Sequence, residues 1–233
     1  MKRAILRSLA ILGITAGVCG GIIAVQAQNQ NGGQISPNMS FFITSVGKGE
    51  GANYGGLVGA DAHCAALAKA AGSAKTGWHA YLSATATPAA NGQPAGAPVD
   101  ARSRIGNGPW YNAKGVLVAS NVDDLHSKTL SKDLLLTEKG ATNNGMGDTP
   151  NTHDILTGSD SAGRYLATNG DTTCKNWTSG GEGSAMLGHF DGRGPNANRN
   201  YTSWNSAHMS RSCSQPDLVA TGGAGQLYCF ASN

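Results

Sequence analysis

A chain of 233 residues has room for a leader and one well-filled core, and its 17 Lys and Arg stand against 14 Asp and Glu. Three of the basic residues, Lys2, Arg3 and Arg7, lie at the very start, so the remainder carries 14 of each sign and a formal net charge of zero. That balance excludes a basic stripe able to neutralise phosphates, and nucleic acid is not an expected partner.

The positive start runs into an apolar stretch from Leu9 to Val25, then Val25-Gln26-Ala27 and the polar Gln28-Asn29-Gln30. This is the layout of a secretory signal peptide over residues 1–27, with cleavage after Ala27. An uncleaved anchor and a lipid-modified Cys19 are the alternatives. No other segment is apolar enough to span a membrane. The expected location is secreted or periplasmic. Removing the leader leaves Cys64, Cys174, Cys213 and Cys229, an even number in an exported chain, which predicts two disulfides. Four cysteines allow three pairings, and spacing does not choose among them.

Residues 28–39 read as a flexible lead-in, and a domain follows over 40–233. Ser40 to Val46 is a strand candidate, with a glycine-rich loop from Gly47 to Gly56. Ala60, Cys64, Leu67, Ala68 and Ala71 recur at helical spacing, which predicts a helix over 60–71. Asp61 is expected in its first turn, where a carboxylate suits the helix dipole, and Gly72 is expected to stop it. Trp78, Ala80 and Leu82 alternate as one face of a strand. Residues 84–100 read as an exposed loop. Trp110-Tyr111 and Val116 to Ala119 flank Asn112-Ala113-Lys114-Gly115 as a hairpin. Val122 to His126 suits one helical turn. Further strands are expected at His153 to Thr157, at Thr172 to Thr178 and at Gln226 to Ala231. Residues 179–212 read as one long polar loop. Together these elements predict an α+β domain of short antiparallel strands, one or two short helices and long loops.

Several blocks carry a resemblance. Gly59-Ala60-Asp61-Ala62-His63-Cys64 and Gly77-Trp78-His79-Ala80-Tyr81-Leu82-Ser83 are followed by Thr157-Gly158-Ser159-Asp160, Gly163-Arg164 and Leu166. Then come Cys174-Lys175-Asn176-Trp177-Thr178, Gly183 to Gly188, Cys213 and Leu227-Tyr228-Cys229-Phe230. In this order they resemble the endostatin-like branch of C-type-lectin-like domains, found also in bacterial secreted proteins labelled lectins. The resemblance covers roughly residues 40–233. It implies the nested pairs Cys64–Cys229 and Cys174–Cys213. It speaks to fold more than to function, because one fold serves many roles.

The departures bear on metals. Endostatin-type domains carry zinc on histidines ahead of the first strand, and residues 28–40 contain none. The heparin-binding arginines of that branch reduce here to Arg102 and Arg104. Gln215-Pro216-Asp217 has the look of the calcium triplet of sugar-binding C-type lectins, but it follows Cys213 where the triplet should precede it. Trp204-Asn205-Ser206 lacks the Asp of the Trp-Asn-Asp stretch. Calcium therefore has no complete motif, and no cofactor or metal is expected.

No hydrolase, Walker or EF-hand motif is present. Gly47-Lys48-Gly49-Glu50-Gly51 lacks a full dinucleotide fingerprint. Asn143 to Asp148 is oxygen-rich but reads as a turn. The six histidines, at 63, 79, 126, 153, 189 and 208, show no ligand spacing, although His153 with Asp154 and His189 with Asp191 are pairs that folding can bring together. Catalysis is not expected. Trp78, Trp110 and Trp177 read as core. Tyr201, Trp204 and Asn205, beside Asn198 and Asn200, combine flat aromatic faces with amides and suit a sugar. The competing role for Trp204 is an anchor holding the loop to the core. The expected function is an exported, non-catalytic binding module, recognising a glycan; a protein-contact or adhesion module is the alternative, and an unrecognised hydrolase the third reading.

Overall fold

A computed structural model describes residues 34–89, 95–196 and 199–232, all within the unit Gly32–Asn233. The leader reading of 1–27 and residue Asn198 fall outside the described residues. The architecture is α+β, with short strands, few helices and two disulfides.

The last strand organises the fold. Strands β1 (Phe41–Ile43) and β2 (Trp78–Ala80) both pair antiparallel with it, and β5 (Asp154–Leu156) runs parallel to it. It is β8 (Gly223–Ala231) and the longest strand described. Beyond β5 the sheet continues antiparallel through β6 (Met186–His189) and β7 (His208–Met209). A separate hairpin joins β3 (Trp110–Tyr111) to β4 (Leu117–Ala119), as its sequence predicts.

Alternation sends successive strand residues to opposite sides of the sheet, and both sides are covered. Phe42, Trp78, Ala80, Leu156, Leu227, Cys229 and Ala231 share one core with helix α1 (Gly56–Ala70). The helix presents Ala60, Cys64 and Ala68, whose small side chains let it sit close to the sheet. Phe41, Ile43, Ile155, Tyr228 and Phe230 face the other way, into an aromatic core with Tyr81, Trp110, Phe190 and Trp204. Cys64–Cys229 ties the first helix to β8, and Cys174–Cys213 closes the region between β5 and β8. These are the pairs that the resemblance implies.

Beyond the parallel β5–β8 pair and the five α-helices among the described residues, where the sequence predicts antiparallel strands and one or two short helices, three expectations need correction. Helix α1 starts four residues before Ala60, so Asp61 lies beyond its first turn. The Asp61 carboxylate instead accepts from Arg104 Nη2 at 2.7 and 2.8 Å and from the Ala80 amide at 2.9 Å, and pairs with His79 at 3.0 Å. It joins α1, β2 and the short α2 (Ala101–Arg104), which follows the loop after β2. Gly72 does end the helix, at φ +87°, a conformation suited to glycine.

The second correction concerns Thr172 to Thr178. Residues Cys174 to Trp177 form a helical turn, α4 (Cys174–Trp177), with φ from 48° to 64° throughout. Left-handed backbone costs roughly 1–2 kcal/mol per residue, which a strand-like reading of the residues does not anticipate. The surroundings hold it: Trp177 Nε1 donates to Ser83 O at 2.7 Å, Asn176 Oδ1 accepts the Thr85 amide at 2.8 Å, and Asp171 Oδ2 accepts the Lys175 amide at 2.8 Å.

The third is the long loop. Residues 179–212 contain β6, a 3-10 turn at Arg199–Thr202 and β7. Gly188 explains the tightness: a Cβ there would lie 1.8 Å from Trp204 O, so only glycine lets the returning chain lie on β6. Helix α3 (Val122–Ser127) is capped by Asn121. Gln215-Pro216-Asp217 opens helix α5 (Gln215–Ala220), with Ser214 as its cap accepting the Asp217 amide. That is the N-terminus signature of a helix, and it accounts for the triplet. No helix among the described residues is long and apolar enough to cross a membrane.

Candidate functional site

The segment from His189 to His208 leaves β6, passes through the 3-10 turn and returns as β7. It carries all three residues singled out for sugar binding. Trp204 is 4% exposed, and its indole packs against Tyr81, Tyr228 and His126 at centroid distances of 4.9, 5.2 and 5.7 Å. No flat face is open for stacking, and the anchor role is the one the geometry assigns. Its carbonyl accepts from the buried Tyr228 hydroxyl at 2.7 Å.

Asn205 is 1% exposed and engaged on both ends of its amide. Its Nδ2 lies 2.9 Å from Tyr81 Oη, 3.1 Å from Asp160 O and 3.3 Å from Ser161 O, while Oδ1 accepts from Ser203 Oγ at 3.0 Å. Burial demands such pairing, and here it fixes the segment to the loop at Asp160. Tyr81 passes the network on to His126 Nε2 at 2.7 Å, and His126 Nδ1 donates to Val122 O at 2.7 Å. Burial pushes the His126 pKa below its ordinary value; Arg102 adds to this, and the Val122 contact opposes it.

In front of this brace lies an open cleft of about 650 Å³. The end of α3 and the residues after it, His126 to Thr129, form one wall. Asn200, Thr202, Ser203 and Ser206 form the other, with Ser161 and edges of Trp204 and Asn205 between them. The lining is mostly hydroxyls and amides, with the Lys128 ammonium, which pairs with Asp124 at 2.8 Å, and Leu166, Met186 and Ala207 as its apolar members. Tyr201 is half-buried and does not line the cleft; its contribution is a carbonyl turned toward β6.

Behind the same segment, four side chains from three separate stretches of the sequence meet. Asp154 and His189 are direct partners across β5 and β6, and His208 comes from β7. Asp154 Oδ1 lies 3.2 Å from His153 Nε2, 3.1 Å from His189 Nε2 and 3.5 Å from His208 Nε2. The other ring nitrogens are occupied: His153 Nδ1 by Asp191 at 3.3 Å, His189 Nδ1 by Tyr201 O at 2.6 Å, and His208 Nδ1 by Met209 O at 3.0 Å. The expected His153–Asp154 pair is present, whereas Asp191 pairs with His153 and His189 with Asp154 in place of the expected His189–Asp191 pair. Side chains of His153, Asp154 and His189 are 1–6% exposed, and that of His208 26%. Burial pushes the Asp154 carboxyl up, but His189 and His208 outweigh it and hold it below the usual range. Asp154 in turn raises His208. Asp191 is lowered, its burial outweighed by His153 and the Met146 amide.

No local spacing announces this centre, because its members are brought together only by strand register. The adjacent His153-Asp154 and the near neighbours His189 and Asp191 are the only signals in the sequence. The oxygen-rich Asn143 to Asp148 forms a turn, with Asp148 accepting the Gly145 amide at 2.8 Å and pairing with Lys132 at 2.6 Å. Comparison with protein-family models and with curated proteins returns no match.

Proposed function

We propose that the chain is an exported, non-catalytic binding module of the endostatin-like, C-type-lectin-like kind, which recognises a glycan in the cleft between the end of α3 and residues 200–206. The observation that carries this reading is the cleft's lining: hydroxyl and amide groups from two walls, braced from behind by Trp204 and Asn205. Sugars offer many hydroxyls, and a pre-formed concave surface of donors and acceptors meets them without ordering cost. The affinity comes from hydrogen bonds and shape, not from stacking on Trp204. Nested disulfides from the first helix to the last strand support the lectin-like architecture and suit a secreted or periplasmic location.

An array of immobilised oligosaccharides probed with the disulfide-bonded mature protein tests the reading. Binding that a soluble form of the same sugar competes away is expected. Absence of any competed signal overturns the glycan reading and leaves the protein-contact module.

A further inference from the structure

We propose that His153, Asp154, His189 and His208 form a zinc site, built from β5, β6 and β7 and not from residues ahead of β1. His153, Asp154 and His189 gather at one point, the two imidazole rings stacked with centroids 4.1 Å apart, and His208 stands at the open side. Zinc holds nitrogen and carboxylate ligands in a tetrahedron with bonds of about 2.0–2.1 Å, whose edges are then about 3.3–3.4 Å. Three edges from Asp154 Oδ1 to the three Nε2 atoms measure 3.2, 3.1 and 3.5 Å. The ligating atoms of His153, Asp154 and His189 all lie within 4.8 Å of one another; His208 lies outside that group, 3.5 Å from Asp154 Oδ1, and closes on it when the ion binds.

Hydrogen bonding leaves part of the cluster unsatisfied. Asp154 Oδ1, Asp154 Oδ2 and His189 Nε2 are buried and lack an aligned hydrogen-bond partner, although nitrogen and oxygen lie close. The Nδ1 atoms of His189 and His208 face carbonyl oxygens, which only accept, so these atoms carry the protons. In the neutral rings, Nε2 then presents a lone pair toward the carboxylate, and like meets like. A dication at the point of convergence turns those lone pairs into bonds. It also balances charge: two positive charges meet the carboxylates of Asp154 and Asp191. Three imidazolium rings would instead leave a net positive charge in a buried site. Acceptors on all three Nδ1 atoms are the outer shell that orients metal-bound imidazoles. Three imidazoles and one carboxylate are a zinc donor set, and four protein ligands make the site structural.

The ion's place in the fold defines its task. His189 stands at the start of the returning segment and His208 at its end, so the metal pins both ends of the chain that forms one cleft wall. The partly exposed His208 gives the ion an entry path.

The test uses the full disulfide-bonded mature protein, stripped with a chelator and titrated with zinc or cobalt. Expected are one equivalent of zinc by elemental analysis, the intense visible bands of four-coordinate cobalt, and a rise in melting temperature with zinc. Asp154→Asn and His208→Ala should abolish stoichiometric uptake, and Asp191→Asn should weaken it about 10–100-fold. His208 lies on a two-residue edge strand, so His208→Ala should keep the native near-ultraviolet circular dichroism even if Asp154→Asn does not fold. No uptake by the stripped protein, a six-coordinate cobalt spectrum, or uptake undiminished in folded His208→Ala overturns the proposal. None of these readouts depends on a glycan.

Discussion

Trp204 and His126, in contact at the edge of the cleft, carry opposite lessons about burial. Trp204 is packed on three rings, so Trp204→Ala should cost about 3–5 kcal/mol in urea unfolding. A loss near zero would restore an exposed platform. His126 is neutral because it is buried, accepting from Tyr81 and donating to Val122. Its folded pKa lies below the ordinary 6.5. At high pH neither folded nor unfolded chain binds a proton here. As pH falls through about 6.5 the unfolded chain binds one first, so this group's stabilisation is present above that pH and lost as pH falls toward the folded pKa. Arg102 opposes the proton, while Asp160 and Asp123 favour it. In the metal-free chain His208 has the opposite sign, its folded pKa being raised by Asp154: its contribution is full below about 6.5 and is lost as pH rises through the folded value. Comparing unfolding free energies of wild type and His126→Gln across pH 5 to 8 isolates the first term. The variant should gain stability relative to wild type toward acid; a variant that loses further ground to wild type toward acid contradicts the assigned role.

Among the elements, the disulfide from α1 to β8 closes the larger loop, its cysteines separated by 165 positions in the sequence. Replacing both Cys64 and Cys229 with Ala should cost about 2–5 kcal/mol, read from the urea midpoint, and an unchanged midpoint would mean that packing alone holds helix to strand. The elements most legible in the sequence are those whose side chains alternate or recur with a period. Trp78, Ala80 and Leu82 declare β2 and its buried face, and Ala60, Cys64 and Ala68 declare the inward face of α1. The β3–β4 hairpin is read from the turn between two apolar runs. The left-handed turn at Cys174 to Trp177 is not legible, because distant groups at Ser83, Thr85 and Asp171 impose it. Strands β6 and β7 escape notice for a related reason: they are short, glycine-interrupted and held by the neighbours they pair with. The histidine centre is invisible for the same cause, since register across β5, β6 and β7 assembles it. The cleft-lining Asn200 and the buried Trp204 and Asn205 lie within a few residues of one another, so the sequence finds the right segment but not which side chains face outward.

At the scale of the whole molecule, a covered sheet supports a segment that is pinned at its ends, braced from behind and polar in front. The aromatic core and the Asn205–Tyr81–His126 network supply rigidity behind the cleft that we propose for recognition. The central claim is that recognition resides in the outward residues of the two cleft walls, while Trp204 only holds one of them. The most direct test is titration of the best array glycan into wild type and into the double variant Asn200→Ala/Lys128→Ala, one residue from each wall, with unfolding measured on the same samples. The account predicts a loss of affinity of at least about tenfold, roughly 1.4 kcal/mol, with a nearly unchanged unfolding midpoint. Affinity equal to wild type in the folded double variant would contradict it.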